Sequence, residues 1–291
     1  MVKTQFSGQL VFITGGSSGI GLALAKQLSA LGAHIHILAR RPQQLQEALE
    51  QIRSARVNEG QNFGVISCDL ADRFQLEAAL AKFQQEVGTP DLLINAAGYS
   101  YPALILDTPA DIFYHQMDVN YFGTVNTVRA FLPAIIERNT GHIVNISSVA
   151  GFLTGYGFGA YSGSKFAVRA FTEVLRSELK TTKVKVSICF PPDTDTPGLA
   201  EENKIKPEVL RLATQAGGLA QPEEVADSII KGILHNRFNI VTGFETNIFF
   251  ILANTLGLLF SPGIIPDLFL NAAWKKIARR EKENAKRQKT G

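Results

Sequence analysis

Short apolar runs alternate with amphipathic stretches along most of this chain. Leu10–Thr14, Ala33–Ala39, Phe63–Cys68, Leu92–Asn95, His142–Ser148, Val184–Phe190 and Phe238–Thr242 are runs of four to seven residues rich in Val, Ile, Leu and Phe. Runs of that length and continuity read as strands covered on both faces. Between them the apolar positions fall three and four apart, as in Ile20, Leu24, Leu28 and Leu31 before Gly32, or Phe166, Ala170, Val174 and Leu175. Helices are expected from Pro42 to about Glu59, after Arg73, from roughly Asp111 to Arg138, from Tyr161, and from Pro222. Residues 200–217 read as polar and helical, a lid over a substrate. Six or seven strands alternating with helices predict one α/β unit, a doubly wound parallel sheet with helices on both faces. No repeat or linker divides residues 1–243, and 244–291 forms an apolar helical extension ending in a basic tail.

The joint between the first strand and the first helix carries chemistry. Gly15-Gly-Ser17-Ser18-Gly19-Ile20-Gly21 follows Thr14 at once. Glycines let the backbone approach a pyrophosphate, and a helix N-terminus supplies free N–H groups and a positive dipole. A strand, a glycine turn and a helix in this order predict a Rossmann-type dinucleotide site, although a plain tight turn shares the pattern. A fold of this kind that binds NAD often has an acidic residue near the end of its second strand, and this chain has Ala39-Arg40-Arg41 there. A guanidinium pairs with a 2′-phosphate where a carboxylate would repel it, so the expected cofactor is NADPH. The bland alternative, solvated residues at a helix start, fits Arg41 better than Arg40. Asp69, at the end of the third strand, has two readings, an acceptor for the adenine amino group or an N-cap for the helix after Arg73. Asn95-Ala-Ala-Gly98 ends the fourth strand with small residues that let the backbone lie close to a cofactor.

Tyr161 and Lys165 stand four apart, so a helix places both on one face. A phenol is a weak acid, and a neighbouring ammonium lowers its pKa enough for general acid–base work. Taken alone, such a pair also occurs by accident on helix surfaces. Ser148, at the end of the fifth strand run, can hold a substrate oxygen in front of the tyrosine. Asn120 lies in an apolar helical stretch and needs partners, either structural or a water beside Lys165. Thr194 and Thr196, in Pro191-Pro-Asp-Thr-Asp-Thr-Pro-Gly198, sit on a rigid turn with donors toward a ligand.

Composition narrows the field. The net charge is +3, but Lys275–Gly291 holds eight Lys/Arg against Glu281 and Glu283, a tail of +6 that leaves −3 for the rest. The body therefore lacks a nucleic-acid-binding charge. Cys68 and Cys189 sit in apolar runs and read as inert core residues with no disulfide between them. No Cys/His cluster has metal spacing, and His34 and His36, alternating on one strand, lack a third ligand. Met1–Gly8 has no apolar signal region. Ile248–Phe260 is apolar but shorter than the roughly 20 residues of a spanning helix, and Trp274 adjoins the basic tail. Two readings remain for 244–291, a peripheral membrane contact suited to anionic headgroups, or helices covering the core or a dimer face.

Thr14-Gly15-x-x-x-Gly19-x-Gly21, Asn95-Ala-Ala-Gly98, Asn120, Ser148 and Tyr161-x-x-x-Lys165 occur in this order. The set resembles the short-chain dehydrogenase/reductase superfamily over about residues 7–243. The resemblance implies a catalytic dinucleotide-binding domain over 1–243. In it Tyr161 donates a proton in reduction, Lys165 lowers its pKa and binds the nicotinamide ribose, Ser148 rather than Ser147 polarises the carbonyl, and Asn120 completes a proton relay. Nucleotide contacts carry over to Gly15, Ser17, Ser18, Gly19, Arg40 and Asp69, with Gln44 where a second basic residue can occur. Their neighbours Ile20, Gly21, Leu70 and Asn95, the turn residues Thr194 and Thr196, and Tyr161 and Lys165 complete the expected NADPH-binding set; no metal is expected. Pro191-Pro192 departs from the superfamily's usual Pro-Gly, and the stretch to Pro207 is similar to that of 3-ketodihydrosphingosine reductases. That similarity implies NADPH-dependent reduction of a long-chain sphingoid ketone, 3-ketosphinganine, to sphinganine. The alternatives are another lipid ketone, 3-oxoacyl or sterol-like, and an NADPH-binding protein without turnover. The superfamily implies a homodimer or homotetramer, and the substrate implies a cytoplasmic protein at the cytoplasmic face of a membrane, the endoplasmic reticulum in a eukaryote.

Overall fold

The computed structural model describes residues 6–214 and 218–255, together with Lys275, Lys276 and Arg279. Seven strands form one parallel sheet in the order β3-β2-β1-β4-β5-β6-β7. They are β1 (Leu10–Thr14), β2 (His34–Ala39), β3 (Phe63–Ser67), β4 (Leu92–Asn95), β5 (His142–Ile146), β6 (Lys185–Phe190) and β7 (Asn239–Val241). Side chains alternate across a strand, so Val11 and Ile13 enter one core and Phe12 the other. The first core lies under α1 (Gly19–Ala30), α2 (Pro42–Ser54) and α9 (Pro222–Leu234), through Leu24, Leu45 and Ile229. The second lies under α3 (Arg73–Glu86), α5 (Gly123–Arg138) and α6 (Gly159–Glu178), where Phe12 meets Phe83 and Phe131 edge-on at 4.7 and 5.2 Å. With both faces covered, continuous apolar strands are what the sheet requires.

Strand order reverses at β1, which pairs with β2 on one side and β4 on the other. In such sheets ligands bind outside the carboxyl ends of the strands at this switch point. Six candidate site segments leave a strand at that end: Gly15 after β1, Arg40 after β2, Asp69 after β3, Gly98 after β4, Ser148 after β5, and Thr194 after β6.

Several expected boundaries move. The helix from Pro42 ends at Ser54 rather than near Glu59. Ile52 is its last buried residue, and the Gln61 amide oxygen accepts from the Val57 and Asn58 N–H groups and folds that stretch into a loop. The 111–138 helix is α4 (Ala110–Gln116), a π-turn over Met117–Phe122, and α5. Residues 200–214 lie in two short helices, α7 (Pro197–Ile205) and α8 (Glu208–Thr214), because Pro207 forbids a continuous one and holds Lys206 extended. The end of the expected lid, 215–217, lies outside the described residues. Cys68 and Cys189 are buried and free. His36 packs its ring 5.1 Å from Phe83, His34 Nδ1 accepts from the Asn62 N–H, and no metal-holding cluster occurs among the described residues.

The last described helix, α10 (Phe244–Thr255), sets Phe249, Phe250 and Ala253 against Phe152, Ile188 and Phe190. Its other stripe, Phe244, Ile248 and Ile251, is exposed. No helix among the described residues is long and apolar enough to cross a membrane. Residues 256–274, where the sequence reading places the rest of the extension, lie outside the described residues.

Candidate active site

The glycine turn is built for a close approach. Gly15 has φ +71, and a Cβ there would stand 2.7 Å from the Ala97 backbone, so only glycine fits between β1 and the segment after β4. Ser18 is the N-cap of α1 yet its side chain makes no capping bond, which leaves first-turn N–H groups available for an anion. Thr196 leans over the turn, with its Cγ2 2.8 Å from where a Gly19 Cβ would lie. Beside the turn a cavity of about 330 Å³ is lined by Ser17, Ser18, Gly19, Lys26, Gln44 and Asp195, among others. The buried Gln44 Oε1 has no partner.

Arg40 is exposed at the end of β2, its guanidinium 3.8 Å from the Asp69 carboxylate. The N-cap reading of Asp69 fails: Asp72 caps α3 by accepting from the Gln75 N–H at 3.0 Å. Asp69 Oδ1 accepts from the Ala71 N–H instead. Leu70 is buried against the α5 start, and Ile20 packs partly buried on the first core. Asn95 is tied into the sheet through its Nδ2, while its buried Oδ1 has no hydrogen-bond partner among the described residues. Its Nδ2 donates to Asn145 Oδ1 at 2.8 Å, and Asn145 Nδ2 donates to Thr172 Oγ1 at 2.9 Å, which ties β4 and β5 to α6. The Thr194 hydroxyl donates to the Pro192 carbonyl, and the Thr196 hydroxyl caps α7 by accepting from the Leu199 N–H. Thr196 keeps its O–H as a donor, and Thr194 keeps its oxygen as an acceptor, for a ligand.

Tyr161 and Lys165 share one face of α6, as their spacing predicts. Lys165 is 4% exposed, its Nζ donates to the Ile146 carbonyl at 3.0 Å, and it stands 5.7 Å from the Tyr161 ring centroid. Ser148 begins a short 3-10 turn, Val149–Gly151; its hydroxyl accepts from the Ala150 N–H at 3.2 Å and lies beside the Tyr161 phenol, whose pKa it lowers. Ser147 points away: it is buried and donates to the Lys165 carbonyl at 3.0 Å. The two serines thus separate into one that faces the cleft and one that pins α6.

Asn120 lies in the π-turn, a one-residue insertion of the kind often found at functional sites. The Thr124 hydroxyl donates to its carbonyl. Fully buried, Asn120 accepts from the Tyr99 N–H and donates to the Tyr99 carbonyl, each at 3.0 Å, and donates to Ser164 Oγ at 2.9 Å. Ser164 in turn donates to the Tyr161 carbonyl at 2.7 Å. A Cβ on Gly98 would lie 3.1 Å from both Asn120 Oδ1 and Lys165 Nζ, so these two groups face one small space.

Burial dominates the electrostatics of the pair. Burial pushes the Tyr161 phenol well above its ordinary range; the Ser148 hydrogen bond pulls the other way, and the Glu202 and Asp193 carboxylates push it further up. Burial also lowers Lys165 from 10.5 to about 8. Against that burial the Lys165 ammonium, 5.7 Å from the ring centroid, is the nearby positive charge that favours the phenolate. The sequence reading missed Glu202 and Lys206. Their i,i+4 spacing, with Pro207 just beyond, is the signal that was available. Lys206 has a side chain only 2% exposed and pairs with Glu202 at 3.3 Å and Asp193 at 4.0 Å. Its Nζ lies 5.9 Å from the Phe158 centroid, and Phe158 lies 6.0 Å from Tyr161.

The arrangement, a hydroxyl pair beside a buried amine next to an anion cradle, suits proton delivery to a carbonyl oxygen alongside a dinucleotide. Comparison with known proteins agrees. The short chain dehydrogenase profile matches residues 9–206. A 3-dehydrosphinganine reductase of Danio rerio is 37% identical over 87% of this chain and 76% of its own. A 3-ketodihydrosphingosine reductase of Mus musculus is 40% identical over 82% of this chain and 72% of its own. A short chain dehydrogenase/reductase of Burkholderia phymatum, crystallised in complex with NAD, superposes with a TM-score of 0.77 at 26% identity, covering 89% of this chain and 97% of that one. With sheet order, glycine turn, Ser148, Tyr161 and Lys165 in place, the chain belongs to the short-chain dehydrogenase family.

Proposed function

We propose that this chain is an NADPH-dependent reductase that converts the 3-keto group of 3-ketosphinganine to the alcohol of sphinganine, in sphingolipid synthesis. The similarity to vertebrate sphingoid-ketone reductases supports the substrate. The observation that carries the chemistry is the Ser148–Tyr161 hydroxyl pair beside buried Lys165 at the carboxyl ends of the strands. The uncapped N-terminus of α1 and the space that only Gly15 leaves fit a pyrophosphate. A bound reduced nicotinamide supplies the hydride. Ser148 and Tyr161 hold the ketone oxygen, and Tyr161 gives it a proton as the alcohol forms. Lys165 holds the ribose, and Asn120 fixes the segment from which a proton can be returned. Asp69 receives the adenine amino group, and Arg40 receives the 2′-phosphate.

The domain reading follows. Residues 1–243 are the catalytic unit, and 244–291 is an extension that touches the cytoplasmic face of a membrane. The exposed Phe244, Ile248 and Ile251 stripe and the +6 tail support that contact.

Purified protein is expected to oxidise NADPH, and NADH poorly, with 3-ketosphinganine in mixed micelles, and faster with the ketone in anionic vesicles. A short 3-oxoacyl ester run in parallel decides the substrate class: turnover of the ester alone refutes the sphingoid reading. Equal rates in anionic and zwitterionic vesicles remove the charged membrane contact. Arg40→Asp is expected to weaken NADPH by about ten- to a hundredfold and NADH little, the worth of a charge-assisted hydrogen bond. Equal weakening of both cofactors takes Arg40 out of the phosphate site.

A further inference from the structure

The reacting carbon of the proposed substrate has a charged neighbour. In 3-ketosphinganine an ammonium stands on C2, one carbon from the carbonyl, so whatever holds the ketone oxygen fixes the ammonium within a few bonds of it. That cation enters a half-buried cleft and loses water, which an uncharged wall does not repay.

The wall beside Tyr161 is charged. Glu202 sits on α7 with its side chain 12% exposed, and Asp193 lies on the loop after β6. Among the ion pairs of the described residues, one ammonium, Lys206, pairs with both of these carboxylates. Pro207 accounts for the placement: it ends α7, and Lys206, extended before it, turns its side chain back under the helix onto Phe158. The link to the catalytic residue is geometric: Lys206, paired with both carboxylates, lies 5.9 Å from the Phe158 ring, which lies 6.0 Å from that of Tyr161. Burial pushes the Glu202 carboxyl up; the Lys206 ammonium pulls it down, Asp193 pushes it up, and hydrogen bonds from Lys206 and Ser100 pull it down. A second cation in this corner would favour the charged carboxylate further.

The geometry points to Glu202, seconded by Asp193, as the group that receives the C2 ammonium of the substrate and so selects an amino ketone over a plain ketone. This rests on the sphingoid reading above. Lys206 is a positioning residue that holds Glu202 against the cleft. An ammonium kept protonated there also withdraws electrons from the adjacent carbonyl and favours hydride attack on it.

The test compares 3-ketosphinganine with a chain-matched ketone lacking the amine, both in mixed micelles with NADPH. In Glu202→Gln the ratio of kcat/KM for amino over desamino ketone is expected to fall by about ten- to a hundredfold, mainly through KM for the amine. Asp193→Asn, half-exposed and safe for folding, is expected to lower the ratio less. If Glu202→Gln fails a circular-dichroism check of folding, Asp193→Asn carries the same comparison. A ratio unchanged in the folded variants overturns the assignment while leaving the reductase reading in place. A wild-type protein that prefers the desamino ketone overturns both.

Discussion

Tyr161→Phe is expected to reduce turnover of the ketone by roughly 10²–10⁴-fold, the range for loss of a positioned acid. NADPH affinity should stay within about twofold. The substitution removes one oxygen and keeps the ring that packs 6.0 Å from Phe158 and under the Lys165 amine. Ser148 loses its partner in Tyr161 but keeps its bond from the Ala150 N–H at 3.2 Å, so the loop after β5 retains its shape. One neutral hydrogen bond is worth about 1 kcal/mol net, so the fold survives. Steady-state rates give the first number, and quenching of NADPH fluorescence on titration gives the second. A variant that still reduces the ketone at a wild-type rate means that another group delivers the proton. Among the described residues, the hydroxyl placed beside the Tyr161 phenol is that of Ser148, while the Asn120 amide is held by Tyr99 and Ser164. Combining Ser148→Ala with Tyr161→Phe would then tell the two apart.

The fold was legible because a parallel sheet covered on both faces demands continuous apolar strands; β1 and β4 meet that demand up to their last residue, while β2 and β5 keep it despite His34, His36, His142 and Asn145. The Tyr161 and Lys165 face was legible for a similar reason, since four residues on a helix return a side chain to one side. Other features leave no periodic trace. The π-turn at Asn120 inserts one residue into a helix whose apolar pattern continues on both sides. Asp69 and Asp72 both stood where a cap can stand, and only the bond from the Gln75 N–H chose between them. Asn95 at the end of β4 is in register with Asn145 of β5, so their side chains meet across the sheet, a pairing that a reading of β4 alone does not reveal. The Glu202–Lys206 pair looked like any surface i,i+4 pair. Its burial comes from the break at Pro207, a tertiary consequence of a local rule.

Lys165→Met is expected to move stability and activity in opposite directions. A pKa lowered from 10.5 to about 8 by burial corresponds to about 3 kcal/mol set against the charged amine in the folded state. Methionine fills the same channel without a charge, at the loss of the bond to the Ile146 carbonyl, worth about 1 kcal/mol. Near pH 7 the variant without cofactor should therefore be more stable by roughly 1–2 kcal/mol and melt a few degrees higher. The sign with pH follows from proton counting. Below about pH 8 both folded and unfolded chains carry the charge, and the full penalty applies to the wild type. Between about 8 and 10.5 the unfolded chain binds the proton and the folded one does not, so wild-type stability rises through that window relative to the variant. Melts of both proteins at pH 7 and pH 10 should show the gap close. A variant that melts lower at pH 7, or a gap that widens at pH 10, would show that the amine stabilises the fold it is buried in. Turnover is expected to fall by at least about a hundredfold, because no other cation among the described residues is shown against the Tyr161 ring. Stability gained with activity lost is the pattern of a residue kept for chemistry against the preference of the core around it.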